Sequence, residues 1–514
     1  MNKDGRISLG EKIFRLLAGL AGALFLVLGI GFYAFPDLLA AAFLIQPLHI
    51  QGLNSIRGDL GGVFMGMSLF CLFGAITARR RWLGVAILFL LLVVFGRLLS
   101  FALDGFSAAG LQSVIIEAVL LAILTASMLT ITGKKGEKSG GEEEIKLPGG
   151  RYSKRQTLKI MAGSLLALAA AIFSGLILSR RKIGLAMVEG IAAKFITEDP
   201  LRGLPDGLHV ILCGSGAPMP DPRRASASTA VLAGKNLYVV DCGPGSERKL
   251  ELMRMSPGEV QAVLLTHFHS DHIGDLGELI LKRWSSGAKQ QPLDVFGPPG
   301  VETVVEGFNL AYALDSGYRT AHHGPEICPP SGAGGIARPF YFPPGGKEKV
   351  IIEEDGVKIT AFEVDHRPVT PAVGYRFDYK GRSVVISGDT VPCESLLKQA
   401  KGADVLVHEA LQPAINHILR DVNKKFGRLN LAKIINDIES YHTFTEDAAR
   451  IAGNAGVKHL LLTHILPPLP VADLKEAFLG NAEKFYRGAI TVGEDGIALS
   501  LPAGTKGMIK RALL

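Results

Sequence analysis

Two hydrophobic rhythms divide this chain. Between residues 16 and 131 the apolar residues come in long unbroken runs, 16–35, 60–78, 82–102 and 111–131. Each is long enough to cross about 30 Å of hydrocarbon at about 1.5 Å per residue. A fifth run, 160–178, follows a stretch rich in Gly, Lys and Glu that reads as a solvated linker. The first run is full length and followed by further spans, so it does not read as a cleaved leader. From Gly207 the rhythm shortens, and β-rich runs alternate with helical ones. Residues 208–212, 236–240 and 260–265 read as strands ending at Gly or at polar residues, and 357–364, 372–379, 383–387 and 404–407 repeat the pattern. Helices are predicted over 246–255, 473–486 and 445–455, the last with Thr443 or Thr445 as its cap. The expected organisation is a four-helix transmembrane region (1–132), a polar linker (133–156), a fifth transmembrane or signal-anchor helix (157–182), a connector (183–206) and a layered α/β domain (207–514).

Charge sharpens this division. The chain of 514 residues has 20 % charged residues and a formal net charge of +7. Residues 1–182 hold 20 Lys and Arg against 10 Asp and Glu, whereas residues 183–514 hold 35 against 38. The basicity therefore belongs to the apolar half. The α/β half shows no bulk basicity for holding a nucleic acid backbone, which argues against a nucleic acid partner. The five cysteines, Cys71, Cys213, Cys242, Cys328 and Cys393, show no CxxC spacing and read as small packing residues.

Lys and Arg near helix ends resist translocation. Lys3, Arg6 and Lys12 precede the first run, Arg79, Arg80 and Arg81 join the second and third, and Lys134, Lys135, Lys138, Lys154 and Arg155 lie between the fourth and fifth. With the N-terminus inside, all three basic segments are cytoplasmic, and an odd fifth span carries the α/β half outside. Arg180, Arg181 and Lys182 after that span oppose the placement. The sequence from Ser153 to Lys159 (SKRQTLK) resembles a twin-arginine export signal with Lys in place of the first Arg, which supports it. Arg97 and Glu117 sit inside adjacent spans at similar depth, and intramembrane charges are usually paired. The stretch Asn54-Ser55-Ile56-Arg57-Gly58-Asp59-Leu60-Gly61-Gly62, with Gly96-Arg97-Leu98, resembles a small four-helix membrane family of unknown function.

The candidate chemistry begins where the strand at 260–265 runs into Thr266-His267-Phe268-His269-Ser270-Asp271-His272. Alternate spacing projects His267 and His269 to one side, while Asp271 and His272 on the following turn can face a second ion.

At these residues the chain resembles the metallo-β-lactamase superfamily, specifically its ribonuclease Z-like and arylsulfatase-like branch. The resemblance runs from about Leu208 to Ser500. It includes the opening Cys213-Gly214-Ser215-Gly216-Ala217-Pro218-Met219-Pro220-Asp221-Pro222 and the strand end Val240-Asp241-Cys242-Gly243-Pro244-Gly245. It implies an αββα sandwich, an α/β fold preceded here by all-α transmembrane helices. It also implies one ion on His267, His269 and His366, another on Asp271, His272 and His464, and Asp389 bridging them. His366 lies in Val364-Asp365-His366-Arg367-Pro368, Asp389 in Ser387-Gly388-Asp389-Thr390, and His464 in Leu462-Thr463-His464. The pairs His408-Glu409 and His442-Thr443 fit the same pattern and imply that Glu409 orients His442 beside the reacting group. Asp271, Glu409 and His442 are thus the catalytic candidates.

Imidazole and carboxylate donors suit two divalent ions, Zn²⁺ foremost, with Mn²⁺ or Fe²⁺ as alternatives. Such a pair can share a hydroxide that attacks an ester. The expected activity is a membrane-anchored hydrolase of a small anionic ester, a phosphodiester or aryl sulfate, with the lipid bilayer as its other partner. The alternatives are a lactone or carboxylic-ester hydrolase, a tRNA 3′-processing endonuclease, and a non-catalytic metal-containing membrane sensor. Two departures from ribonuclease Z weigh against the second. The segment between Gly374 and Asp389 has no room for a long tRNA-gripping arm, and Ile-Leu-Pro-Pro-Leu-Pro follows His464. The stretch from Trp284 to Lys349, with Tyr312, Tyr318, His322 and His323, is expected to form a lid, with both histidines as loop residues.

Overall fold

A computed structural model describes residues 9–34, 36, 39–40, 43, 45, 53, 55–103, 108–131, 144–147, 150–153, scattered positions between 182 and 197, 203–471 and 474–514. The fifth apolar run and all but the first residue of the twin-arginine-like stretch lie outside the described residues. The chain divides into two compact units, Met1–Gly190 and Ile191–Leu514.

In the first unit the apolar runs form helices α1 (Leu9–Ala34), α2 (Gly62–Thr77, entered through a π-helical turn Ile56–Gly61), α3 (Arg80–Leu103) and α4 (Ala108–Thr130). All four, α2 taken together with its π-helical entry, are long and apolar enough to cross a membrane. Small residues let them pack closely. A Cβ on Gly22 would stand 2.9 Å from Leu72 Cγ, and one on Gly29 would stand 2.8 Å from Met65 Cγ. Ala18, Ala21, Cys71 and Ala75 share the resulting core with Phe25 and Leu124, while Leu16, Leu20, Val27 and Ile76 point outward. Arg97 and Glu117 meet as an ion pair at 2.6 Å, the pairing expected of two charges at similar depth. In the expected polar linker, β1 (Glu144–Leu147) and β2 (Gly150–Ser153) form an antiparallel pair.

The second unit holds two sheets. One has the order β17-β16-β3-β4-β5-β6-β7-β8 and the other β15-β14-β13-β12-β11-β10-β9. The strands of the first are β3 (Gly207–Gly214), β4 (Ser228–Ala233), β5 (Asn236–Val240), β6 (Val260–Leu264), β7 (Leu293–Gly297), β8 (Gly335–Pro339), β16 (Ile497–Pro502) and β17 (Ile509–Ala512). Those of the second are β9 (Glu348–Glu354), β10 (Val357–Glu363), β11 (Val373–Tyr379), β12 (Arg382–Ile386), β13 (Val405–Leu411), β14 (His459–Leu466) and β15 (Ala489–Val492). Alternation along each strand explains the layering. Leu208, Val210 and Leu212 on β3 face Val373, Tyr375 and Phe377 on β11 in the core between the sheets. Ile211 and Cys213 point the other way, under α5 (Ser246–Leu252) and α6 (Leu276–Gly287). On the far side Leu406 and Ala410 pack beneath α8 (Glu394–Ala400) and α11 (Thr445–Ala455). Strands buried on both faces read as continuous apolar runs, as 236–240 does. The result is the expected αββα sandwich.

Three expectations are revised. The helix read over 473–486 breaks at Gly480 (φ +55°), where the Asn481 amide donates to Glu446; Lys475–Leu479 is helical and Ala482–Lys484 forms one 3-10 turn. Neither threonine caps α11: Phe444 holds the cap position, while Thr443 Oγ1 donates to the Thr390 carbonyl and Thr445 Oγ1 to that of Leu411. His322 and His323 are not loop residues but the last turn of a long helix, α7 (Val301–His323).

Tyr375 ties the sheets together, its hydroxyl donating at 2.5 Å to the carbonyl of Leu265 just before the histidine cluster. Tyr375→Phe leaves that buried carbonyl short of a partner, so the α/β unit should lose about 1–2 kcal/mol in a denaturant titration of the full chain. An unchanged midpoint would show that the tie is dispensable.

Candidate metal centre

Parallel strands leave their carboxyl ends on one edge of a sheet, and loops from those ends can converge. Here β6 delivers Thr266–His272, β10 delivers His366, β12 delivers Asp389, β13 carries Glu409 and β14 carries His464. The turns are tight. His464 (φ +47°) and Asp241 (φ +58°) occupy the left-handed region, a strain that persists where the surroundings over-determine it. Gly388 (φ +61°) also does so, and a Cβ there would stand 2.7 Å from the Val373 carbonyl oxygen.

The seven residues expected as ligands come together. One group comprises His267, His269, His366 and Asp389, and another Asp271, His272 and His464; within each, one donor atom per residue lies within 4.8 Å of the others. Asp389 is shared geometrically: its Oδ2 is 3.3 Å from Nε2 of both His272 and His464, 3.8 Å from that of His366 and 3.9 Å from that of His267. His464 Nε2 also lies 3.2 Å from Asp271 Oδ2.

Hydrogen bonds behind the rings fix which nitrogen faces inward. His272 Nδ1 donates to Asp241 Oδ2 at 2.8 Å, and His366 Nδ1 donates to the Tyr441 carbonyl at 2.9 Å. Asp241 also accepts from the Thr266 amide and hydroxyl, both at 2.8 Å, and so pins the start of the cluster. The donor set fits divalent ions on one telling ground. His272 Nε2, His366 Nε2, His464 Nδ1 and Asp389 Oδ1 are buried and have no hydrogen-bond partner among the described residues. Leaving such groups unsatisfied is costly, and a bound cation would satisfy those that face it.

The electrostatics reflect the crowding of carboxylates and imidazoles. Burial pushes Asp389 up, but His464 and His272 outweigh it and hold the carboxyl well below its usual range. Burial likewise opposes the charge on His272, yet Asp389, Asp241 and Asp271 leave it raised well above an ordinary imidazole. Asp271, raised by burial and lowered by His272 and His464, stands at about 2. His267 is lowered, chiefly by burial.

His442 adjoins this group, sharing ligand reach with Asp389 and His464. Its Nδ1 donates to Glu409 Oε1 at 2.9 Å, and that oxygen also accepts from the amides of Thr390 and Thr443. Burial lowers His442, but the Glu409 charge and hydrogen bond leave it raised. Beside His366 a groove of about 900 Å³ opens, bordered by Phe342, Lys347, Glu363, Arg367 and Cys393. Most of its charges are paired, Arg367 with Asp365, Lys347 with Glu363 and Lys398 with Glu348.

Residues 221–434 match the metallo-beta-lactamase superfamily. The ribonuclease Z of Mycobacterium avium is 38 % identical over 290 residues, covering 56 % of this chain and 96 % of the relative. That of Mycolicibacterium gilvum is 39 % identical over 294 residues, covering 56 % and 94 %. The chain belongs to the metallo-β-lactamase superfamily, on its ribonuclease Z-like branch. It is a hydrolase by that membership. Human tRNase Z, short form, superposes on 57 % of the chain and 99 % of its own length at 22 % identity and a TM-score of 0.41.

One expectation is overturned. Nucleic acid was disfavoured from the net charge of the α/β half, yet relatives matching along nearly their whole length are named as ribonucleases. Net charge is a bulk quantity, and a cation site is often the largest local charge in a protein.

Sequence reasoning gave no role to Asp241 or to the Tyr441 carbonyl. A carboxylate ending the strand next to the motif strand was the available signal for the first; a backbone carbonyl 75 positions from His366 leaves none. Asp495 was also missed. It accepts from the amides of Ser215 and Ala225 and from Lys249, and the Ser215 carbonyl accepts from Ile465 beside His464.

Asp241→Asn should weaken divalent-metal affinity on the order of 10–100-fold, as expected for a group that orients a ligand. Isothermal titration of Zn²⁺ into metal-stripped protein measures this. Unaltered affinity would remove Asp241 from that role.

Proposed function

We propose that this chain is a membrane-tethered metal-dependent hydrolase that cleaves an RNA phosphodiester, with a precursor tRNA 3′ end as its substrate. The observation that carries the reading is 38 % identity along 96 % of a ribonuclease Z, in a chain whose seven candidate ligands converge. His267, His269 and His366 would hold one ion, Asp271, His272 and His464 the other, with Asp389 common to both; Zn²⁺ suits this donor set, with Mn²⁺ or Fe²⁺ as alternatives. When bound, such ions supply a nucleophile that forms near neutral pH and offset charge developing on phosphoryl oxygens. The chain's own residues do the rest. Glu409 fixes the His442 ring through Nδ1 and favours its protonated form, so that Nε2 can donate a proton to the leaving oxygen.

One observation favours a second reading, hydrolysis of a small phosphodiester or aryl sulfate. β11 and β12 are joined by the tight turn Lys380-Gly381, without a long arm for gripping a folded RNA. The two readings differ in membrane side. The outward placement counted from Lys and Arg suits a small ester, whereas an RNA substrate requires the α/β unit in the cytoplasm.

Purified full chain loaded with Zn²⁺ or Mn²⁺ should cleave a 3′-extended precursor tRNA with higher kcat/KM than a bis-aryl phosphodiester or an aryl sulfate. The reverse order would establish the second reading. His442→Ala and Glu409→Gln should keep metal but lower kcat about 10–100-fold; loss of metal would contradict the proton-donor role. A C-terminal alkaline phosphatase fusion should be inactive, because the RNA reading keeps the unit inside. An active fusion would place it outside and exclude tRNA.

A further inference from the structure

Between Glu409 and His442 the chain makes a helical hairpin, α9 (Pro413–Lys425) and α10 (Leu429–Asp437). It is fastened from below. Asn416 is buried and donates to the Ile435 carbonyl and to Glu439, while Ala432, Ile435 and Ile438 are buried. Its other surface is unlike that of a soluble domain. Ile418 and Val422 recur one turn apart on α9, Phe426 follows, and Leu429, Leu431 and Ile434 continue the set along α10. All six are exposed, Ile418 to 62 %, Phe426 to 72 % and Leu429 to 66 %. Apolar exposure concentrated on one short element marks a contact surface.

The charges of the hairpin indicate what it meets. Residues 413–437 carry five basic side chains against two acidic ones, although residues 183–514 as a whole are slightly acidic. Arg420 pairs with Asp421 and Lys433 with Asp437, within the hairpin. Lys424, Lys425 and Arg428, at the tip beside Phe426, are exposed and make no ion pair among the described residues. Large aliphatic side chains next to unpaired cations characterise helices that lie in a lipid headgroup layer, the apolar groups entering the acyl boundary and the cations facing anionic headgroups. RNA would be gripped by cations and stacked aromatic rings, and five of these six apolar residues are aliphatic.

We infer that the α9–α10 hairpin is a second membrane contact, which seats the hydrolase unit on an anionic bilayer surface. The inference rests on the reading of α1–α4 as a membrane anchor. The hairpin joins the strand of Glu409 to the segment of His442, so contact with lipid would hold the catalytic pair at a fixed height above the headgroups.

Hydrogen exchange of the full chain tests this, in nanodiscs of phosphatidylcholine alone and in nanodiscs that also contain phosphatidylglycerol. Amides of 413–437 should exchange about tenfold more slowly with the anionic lipid, and charge reversal at the tip (K424E, K425E and R428E together) should abolish the difference. Helix α11 should exchange alike in both. Equal exchange of the hairpin in both discs would overturn the inference. So would protection that appears in detergent and grows with protein concentration, which would make the face a contact between copies. Protection that appears only on adding RNA, with no response to anionic lipid, would also overturn it, in favour of a substrate grip. Extraction of the chain from membranes by alkaline carbonate would refute the anchor itself, and the inference with it, whereas retention without protection would refute the inference alone.

Discussion

Four imidazoles converge on one buried carboxylate, and most of the α/β unit is arranged to hold them there. Asp389 lies within 4 Å of His267, His272, His366 and His464, residues drawn from three separate strand ends. Packing so many lone pairs together without hydrogen-bond partners is unfavourable in a protein interior. The brace from Asp495 to the Ser215 loop and the clamp of Asp241 on Thr266 and His272 each hold part of that arrangement in place, and the strained backbone at His464 and Asp241 is part of what they hold. The sandwich beneath supplies the rigidity, since core packing tolerates little displacement.

Around this centre, the loops and the groove decide what a substrate would meet. The short β11–β12 turn leaves the substrate without a long arm, and the groove beside His366 presents paired charges rather than a basic track. Binding of a polyanion would then depend on the charge of the centre itself, which is how a unit with more acidic than basic residues can serve a phosphodiester. The first unit adds four helices long and apolar enough to cross a membrane. The α9–α10 hairpin adds an exposed apolar face, with Ile418, Phe426 and Leu429 on its surface.

Legibility in the sequence followed distance along the chain. His267, His269, Asp271 and His272 share one strand end, so spacing alone revealed them. His366, Asp389 and His464 lie about a hundred or more positions further on, each in unremarkable surroundings, and only the resemblance to a known family picked them out. Strands buried on both faces, such as β5, were recognisable as apolar runs. The helix at 473–486 was read through Gly480, where a local turn held by Glu446 overrides helical spacing. The role of Asp241 escaped because a carboxylate at a strand end is ordinary until its partner across the sheet is known. The charge count misled for a physical reason: it averages over a surface, whereas a substrate meets one site.

Elemental analysis of the full chain loaded with excess Zn²⁺ and then desalted, alongside Asp389→Ala, tests directly whether the cluster around Asp389 holds two divalent ions. Two ions per chain in the native protein, with at least one lost in the variant, is the expected result. At most one ion in the native protein, or an unchanged count in the variant, would contradict it.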